Sequence, residues 1–149
     1  MTAPAAIVCP AGIDLPPDVF DIPSMNVVII GASANPDRYS NRAQKKLTEA
    51  GYETIPVSLS GADILGRKGY RSVTDIPENM HPVHTVTVYL NPTRFADIAD
   101  DVIALSPERV ILNPGTESEE ISERMQNAGI HVVEACTLVL LSLGQFDTA

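Results

Sequence analysis

The sequence is poor in cysteine and has no long apolar run. Its two cysteines, Cys9 and Cys136, lie far apart, which excludes a disulfide framework and a cysteine-based zinc site. No apolar run approaches the roughly 20 residues that a membrane-spanning helix needs. The start of the chain also lacks the basic and apolar stretches of a secretory signal. We therefore expect a protein of the reducing cytoplasm.

Basic residues are scarce as well: there are 10 against 19 acidic residues, which gives a formal net charge of −9. This balance argues against general nucleic-acid binding, because phosphate contacts need a surplus of lysine and arginine. The basic residues are nevertheless concentrated, since eight of them lie between Arg38 and Arg94, against five acidic residues. Such a segment is either solvated surface or the place where a discrete anionic ligand binds.

A length of 149 residues with 44% hydrophobic residues suits one compact domain. Residues 1–25 hold five of the twelve prolines and show no periodicity, which predicts an irregular arm. The domain then occupies residues 26–149. Within it, short apolar or β-branched runs alternate with helical patterns, and these runs predict five strands over about 27–30, 52–57, 83–90, 110–112 and 130–133. Strict alternation predicts an α/β fold of the Rossmann-like, doubly wound type, with a mostly parallel five-stranded sheet and helices on both faces.

Apolar residues recur at helical spacing between these strands, and we expect them to be buried: Ala43, Leu47 and Ala50 in the first helix, Phe95, Ile98, Ala99, Val102 and Ile103 in the second, and Ile121, Met125 and Ala128 in the third. Ser40 or Asn41 fits the N-cap of the first helix. Pro92 opens the second, and Thr116 with Glu119 fits a capping box for the third. A last helix is expected over residues 137–143.

Ligands of open parallel sheets bind beyond the carboxyl ends of the strands, so the loops there are the candidate site. The loop after the first strand begins with Gly31, which permits a sharp turn, and continues with the small residues Ala32 and Ser33. A phosphate can approach the main-chain N–H groups of such a loop, and Arg38 and Arg42 offer charge. We therefore expect these N–H groups to face a phosphate-bearing ligand.

The dinucleotide fingerprint is not met, because its second and third glycines would fall at Ser33 and Pro36. The second strand also ends in Ser58-Leu59-Ser60, without the carboxylate that would accept from a free ribose diol. The site therefore suits a phosphorylated ribose, which both coenzyme A and NADP carry.

An ordered series of motifs resembles the small coenzyme A-binding domain proteins, which are related to the nucleotide-binding domain of the succinyl-CoA synthetase α subunit. The motifs are Ile30-Gly31-Ala32-Ser33 with Asn35-Pro36 and Arg38, Gly51-Tyr52, Ile55-Pro56-Val57, Leu65-Gly66, Tyr70 with Ser72, Asp75-Ile76-Pro77, Asn113-Pro114-Gly115 with Glu119-Glu120, Ala128-Gly129-Ile130, and Cys136. They cover about residues 25–140.

The resemblance implies that coenzyme A or an acyl-CoA binds at the carboxyl edge of a Rossmann-like sheet. It assigns roles to three groups of residues: Gly31, Ala32 and Ser33 would hold the diphosphate, with Asn35, Arg38 and Ser40 beside it; Val57 and Ser58 would border the adenosine; and Tyr89, Asn91, Pro92, Asn113, Pro114 and Gly115 would line the pantetheine path.

Three functional hypotheses stay open. The first is a coenzyme A-binding carrier, sensor or regulatory module that does no chemistry itself, since no nucleophile, base and oxyanion set is recognisable and no histidines have metal-ligand spacing. The second is an NADP-dependent or other nucleotide-binding enzyme. The third is a structural subunit with a vestigial site that forms a homodimer through residues 137–143 or binds another protein. Cys136 is either a redox thiol that pairs with the coenzyme A thiol or a small buried hydrophobe.

Overall fold

The computed structural model describes residues 25–149. The arm expected over residues 1–25, and Cys9 within it, therefore lie outside the described residues apart from Met25. In the described part, five strands form one sheet: β1 (Asn26–Ile30), β2 (Glu53–Val57), β3 (Thr85–Val88), β4 (Arg109–Leu112) and β5 (His131–Glu134). Their order is β2-β1-β3-β4-β5, and every neighbouring pair is parallel. The predicted fold class is confirmed.

The helices are α1 (Tyr39–Glu49), α2 (Pro92–Ala96), α3 (Ala99–Leu105), α4 (Glu119–Asn127) and α5 (Thr137–Ser142). Two short 3₁₀ helices, Val73–Asp75 and Glu78–Met80, lie between β2 and β3. No helix of residues 25–149 is long and apolar enough to cross a membrane.

Alternate residues of each central strand point to opposite faces of the sheet, and each face is covered. Val28 and Ile30 belong to a core that includes Phe95, Val102 and Met125 from the helices α2, α3 and α4. On the other face, the core joins Val27 and Ile29 of β1 to Leu47, Leu140 and Phe146. Because β1 is apolar on both faces, it lies inside the sheet, as its unbroken Val-Val-Ile-Ile run indicates.

The expected second helix is two helices. Between the two helices the hydrogen bonds have the 3₁₀ pattern, in which each N–H donates to the carbonyl oxygen three residues earlier. The N–H groups of Asp97 and Ile98 donate in this way to Arg94 and Phe95. The helical ladder resumes when Val102 donates to Ile98. Phe95, Ala99 and Val102 are all fully buried as predicted, while Ile98 and Ile103 are half-buried.

Three local predictions were wrong. The N-cap of α1 is Arg38, with no side-chain cap, so neither Ser40 nor Asn41 has that role. The cap of α4 is Ser118, whose hydroxyl accepts from the N–H of Ile121, whereas Thr116 is buried and donates to the carbonyl oxygen of Asn113. Ala50 and Ala128 are exposed, and each lies one residue beyond the end of its helix.

Candidate functional site

The sheet order creates a crevice between β1 and β3. The chain leaves β1 toward β2 on one side and returns to β3 on the other, so the loops after β1 and β3 diverge, as they do at the ligand sites of doubly wound sheets. A cavity of about 920 Å³ opens there, which lies within the range of small-molecule sites. The lining comes from the last residues of β1 and β2, the segments that follow β1, β2 and β3, and α2 with the two residues after it. It consists of Ile30, Gly31, Ala32, Ser33, Ala34, Arg38, Val57, Ser58, Leu59, Ser60, Ala62, Ile64, Arg71, Tyr89, Leu90, Asn91, Arg94, Asp97 and Ile98.

The cavity brings together eight of the fourteen residues that the sequence nominated: Gly31, Ala32, Ser33, Arg38, Val57, Ser58, Tyr89 and Asn91. Six others are not among its lining: Asn35, Ser40, Pro92, Asn113, Pro114 and Gly115. Arg42, which the sequence offered as a source of charge, is exposed and is not in the lining either.

The loop after β1 is tied to the end of β2. Both Gly31 and Ala32 donate their main-chain N–H groups to the carbonyl oxygen of Val57, at 2.9 and 3.1 Å. The expectation that these two N–H groups are free for a ligand was therefore wrong, because the fold itself uses them. The N–H groups of Ser33 and Ala34 make no hydrogen bond within residues 25–149, and both residues line the cavity.

Local hydrogen bonds define the rest of this loop. The hydroxyl of Ser33 accepts from the N–H of Asn35 at 3.1 Å, and the side-chain oxygen of Asn35 accepts from the N–H of Asp37 at 2.9 Å. Asn41 of α1 donates its amide to the carbonyl oxygen of Ser33 at 2.8 Å. The neighbouring Ser40 is buried in α1. These contacts fix the loop against the start of the helix.

The lining is basic. Arg38, Arg71 and Arg94 all border the cavity, and Asp97 is the one carboxylate among the described residues that line it. The ion pairs of residues 25–149 involve none of the three arginines. Arg71 was not among the residues predicted from the sequence, although it lies within the segment from Arg38 to Arg94 where basic residues are in surplus. Among residues 25–149 this positive charge has no ion-pair partner, which favours an anionic ligand.

Tyr89 connects the cavity to a buried polar cluster. Its N–H donates to the carbonyl oxygen of Ile30 at 2.9 Å, and its hydroxyl is buried without a hydrogen-bond partner in the described part of the chain. Burial raises the pKa of Tyr89 to about 12, and the nearby hydroxyls of Thr137 and Thr87 lower it by less. The phenol is therefore uncharged at neutral pH.

Asn113 is buried, is not part of the cavity lining and has a structural role. Its amide nitrogen donates to the hydroxyl of Thr87 at 2.7 Å and to the carbonyl oxygen of Val88 at 2.9 Å. Its side-chain oxygen accepts from the N–H of Thr137 at 2.9 Å, so the amide of Asn113 joins β3, β4 and α5. Its position in the loop after β4 was predicted, but its side chain already has its partners within the protein.

Cys136 is half-buried and occupies the N-cap of α5. It is not among the residues that line the cavity. Its pairing with a ligand thiol stays a prediction. Residues 25–149 contain no group of three or more histidine, cysteine or acidic residues placed to hold a metal ion.

Known proteins of similar sequence and structure cover most of the chain. An uncharacterized protein of Bacillus subtilis (strain 168), YneT, is 26% identical over 110 residues, which are 74% of this chain and 79% of YneT. The crystal structure of an uncharacterized protein is 37% identical, has a TM-score of 0.75 and covers 83% of this chain and 98% of its own. A conserved hypothetical protein from Pyrococcus furiosus is 30% identical, with a TM-score of 0.65, and covers 73% of this chain and 91% of its own.

The family described as the CoA binding domain matches residues 25–142, which include all five strands, all five helices and every residue that lines the cavity. The chain therefore belongs to the CoA binding domain family.

Proposed function

We propose that the protein binds coenzyme A or an acyl-CoA in the cavity beyond β1, β2 and β3. The observation that carries this proposal is the set of three arginines, Arg38, Arg71 and Arg94, that border one cavity without an ion-pair partner among the described residues. Coenzyme A carries a diphosphate and a ribose phosphate, and such a ligand would neutralise this charge.

The diphosphate is assigned to the loop after β1. The N–H groups of Ser33 and Ala34 are free within the described chain, and both side chains are small enough for a phosphate to approach. Arg38 follows at the start of α1, whose first N–H groups have no side-chain cap. Small residues, free N–H groups and a helix start together form the usual anion site of such folds.

The adenosine end is assigned to the segment after β2. Ser58, Leu59 and Ser60 line the cavity there, and no carboxylate stands among them. An acidic residue at this place would bind a free ribose diol, whereas serine hydroxyls and a nearby arginine suit a phosphorylated ribose. This composition supports coenzyme A over NAD.

The pantetheine arm is assigned to the space between the loop after β3 and helix α2. Tyr89, Leu90 and Ile98 offer apolar surface there, and Asn91 and Arg94 offer donors. Residues 113–115, for which we predicted the same role, are not part of the cavity lining. The acyl or thiol end would lie on this side, away from Ser58.

The protein would act as a carrier, sensor or regulatory module. Among its described residues the cavity lining includes no histidine or cysteine and a single carboxylate, Asp97, so it offers no nucleophile with a base beside it. A cytoplasmic location and a homodimer or a protein partner belong to the same proposal.

The test is a thermal-shift and calorimetric comparison of coenzyme A with NADP and NAD. At about 100 times its dissociation constant, a ligand adds roughly 2.7 kcal/mol of stability, which raises the melting temperature by roughly 5–10 °C for a domain of this size. We expect this response with coenzyme A and a smaller one with NADP or NAD. Absence of any response to coenzyme A would overturn the proposal.

Two variants tie the binding to the cavity. Arg38→Gln removes one of its three arginines and should weaken coenzyme A binding by about tenfold or more, because a charge-assisted contact to the diphosphate is lost. Lys45→Gln removes the same charge from an exposed position of α1 that does not line the cavity. It should leave the affinity nearly unchanged. Equal effects of the two variants would point to a non-specific effect of net charge instead.

A further inference from the structure

We propose that Arg71 is the residue that selects a ligand with a phosphate monoester on its ribose, and so distinguishes coenzyme A from 3′-dephospho-coenzyme A. The inference rests on the proposed function, because it concerns one end of the same cavity. No strand or helix contains Arg71, and its place follows from three features of the chain around it.

The first feature is the pairing of Tyr70 with the end of β2. Tyr70 forms a parallel bridge with Val57; its N–H donates to the carbonyl oxygen of Pro56, and its carbonyl oxygen accepts from the N–H of Ser58, both at 3.0 Å. Tyr70 thus extends the sheet by one residue beside β2. Arg71 comes directly after it and therefore lies at the carboxyl edge of the sheet, where the cavity opens.

The second feature is the close packing of Arg71 on Gly61. A Cβ atom at position 61 would lie 2.7 Å from Cγ of Arg71, and the φ angle of Gly61 is +68°. The aliphatic stem of Arg71 therefore lies directly against the backbone of the loop that follows β2. A second close approach reinforces this contact, since a Cβ atom at Gly69 would lie 1.9 Å from the carbonyl oxygen of Ala62.

The third feature is the chemistry around the guanidinium. The hydroxyls of Ser58 and Ser60 hydrogen-bond to each other at 3.3 Å, which leaves one of the two hydroxyl protons for a ligand, and both residues line the cavity with Arg71. Asp63, the nearest acidic residue in this loop, is not in the lining and accepts a hydrogen bond from the N–H of Gly69. The result is one guanidinium and one free hydroxyl donor, with no carboxylate of this loop beside them in the lining, a set that suits the oxygens of a phosphate monoester.

The position of this set assigns it to the ribose and not to the diphosphate. The loop after β1 holds its own arginine, Arg38, beside the free N–H groups of Ser33 and Ala34. Arg71 lies beyond β2, where the ribose of a nucleotide rests on a sheet of this type. A ribose monophosphate occurs in both coenzyme A and NADP, so the test must separate the two sources.

The test measures affinity by calorimetry for the intact protein, Arg71→Gln and Lys68→Gln, each with coenzyme A and with 3′-dephospho-coenzyme A. Lys68 is exposed, lies three residues before Arg71 and does not line the cavity, so it is the matched control for the loss of one charge. We expect the intact protein and Lys68→Gln to prefer coenzyme A by about tenfold or more. In Arg71→Gln this preference should disappear, while the affinity for 3′-dephospho-coenzyme A stays unchanged.

Each other outcome decides between the two proposals. If the intact protein binds both ligands equally well, coenzyme A binding stands and the role of Arg71 falls. If Arg71→Gln weakens the binding of both ligands by the same factor, Arg71 does not contact the ribose phosphate. If the intact protein binds neither ligand, the proposed function itself fails. A parallel titration with NADP and NAD identifies which ligand supplies the ribose phosphate. If NADP binds more tightly than coenzyme A, and if this binding depends on Arg71, the ligand of the cavity is NADP. That result would contradict the assignment of coenzyme A.

Discussion

Gly31 donates its main-chain N–H to the carbonyl oxygen of Val57 at 2.9 Å, which ties the loop after β1 to the last residue of β2. The same carbonyl oxygen also accepts from Ala32. This contact fixes the first turn of the loop and moves the free N–H groups to Ser33 and Ala34. The proposed diphosphate site therefore begins two residues later than the sequence indicates.

Replacing Gly31 with alanine should destabilise the fold and weaken coenzyme A binding. The φ angle of Gly31 is +87°, and an added Cβ atom would lie 3.1 Å from the carbonyl carbon of Tyr89. The left-handed backbone alone costs an alanine about 1–2 kcal/mol, and the contact with the β3 loop adds to it. Chemical unfolding and calorimetry measure both effects.

Gly51→Ala is the control for this variant. Gly51 has a φ angle of +96°, but an added Cβ atom would meet nothing within 4 Å. We expect Gly51→Ala to lose only the stability that the left-handed backbone costs an alanine, and to bind coenzyme A with unchanged affinity. Equal losses of affinity in the two variants would mean that the turn at Gly31 does not shape the site.

Asn113→Ala should lower the free energy of unfolding by about 2–4 kcal/mol, because buried partners lose their hydrogen bonds. The affected groups are the hydroxyl of Thr87, the carbonyl oxygen of Val88 and the N–H of Thr137. Asn127→Ala, at the exposed end of α4, should change stability by less than about 0.5 kcal/mol. A loss of stability in Asn113→Ala as small as in the control would show that this network contributes little.

Tyr89 should make stability fall between about pH 10 and pH 12. Its pKa is raised to about 12 in the folded protein from the ordinary value of 10.0, mainly by burial. In this range the unfolded chain has released the phenolic proton while the folded protein keeps it, so rising pH favours unfolding by up to about 1.4 kcal/mol per pH unit. Below pH 9 both states keep the proton, and this contribution to stability is constant.

Urea denaturation from pH 8 to pH 11 measures this slope. Tyr89→Phe should show a shallower decline than the intact protein, whereas Tyr39→Phe, at an exposed position of α1, should follow the intact protein. Tyr52, whose pKa is also raised to about 12 by burial and by the neighbouring Asp147, contributes the same background to all three proteins. Parallel curves for Tyr89→Phe and the intact protein would contradict the burial of the phenol.

Arg109 should matter more for stability than Arg124, whose guanidinium pairs with an exposed carboxylate. Arg109 is buried; it donates to the hydroxyl of Thr85 at 3.1 Å and to the carbonyl oxygen of Phe146, and its guanidinium lies 4.5 Å from the ring centroid of Phe146. Burial lowers its pKa. We expect Arg109→Lys to lower the free energy of unfolding by about 2 kcal/mol or more, because a lysine ammonium cannot replace the several N–H donors of the planar guanidinium.

Arg124→Lys is the comparison. Arg124 pairs with the exposed Asp100, so the conservative change should cost less than about 1 kcal/mol. The melting temperatures of the two variants measure the difference. If the two melting temperatures are equal, the contacts of Arg109 with Phe146 do not stabilise the protein.

The strands were predictable because their apolar runs report burial directly, and the Gly31 turn was predictable because a sharp bend after a central strand favours glycine. The first helix was recognised, but its cap was not. Arg38 begins α1 without a side-chain cap, and Asn41, a residue type that favours N-caps, instead binds the carbonyl oxygen of Ser33 across the loop. Such a choice depends on tertiary contacts, which local propensity does not contain.

The site was predictable only as far as the loops that contain it. The position of a residue after a strand predicts that it lies at the carboxyl edge of the sheet, and Ser33, Ser58 and Tyr89 do line the cavity there. It does not predict which way a side chain turns, so Asn113 was nominated although its amide is buried in the network of Thr87 and Thr137. Arg71 was missed because its position depends on the bridge between Tyr70 and Val57, which brings it to the edge of the sheet. The local sequence contains no pattern that predicts such a bridge.

The most direct test of the central claim is a crystal structure of the protein with coenzyme A. We expect the diphosphate within hydrogen-bond distance of the N–H groups of Ser33 and Ala34, the ribose phosphate at Arg71 and the pantetheine arm beside Tyr89. Coenzyme A bound outside the cavity between β1 and β3, or a cavity filled by side chains while the ligand is present in excess, would contradict it.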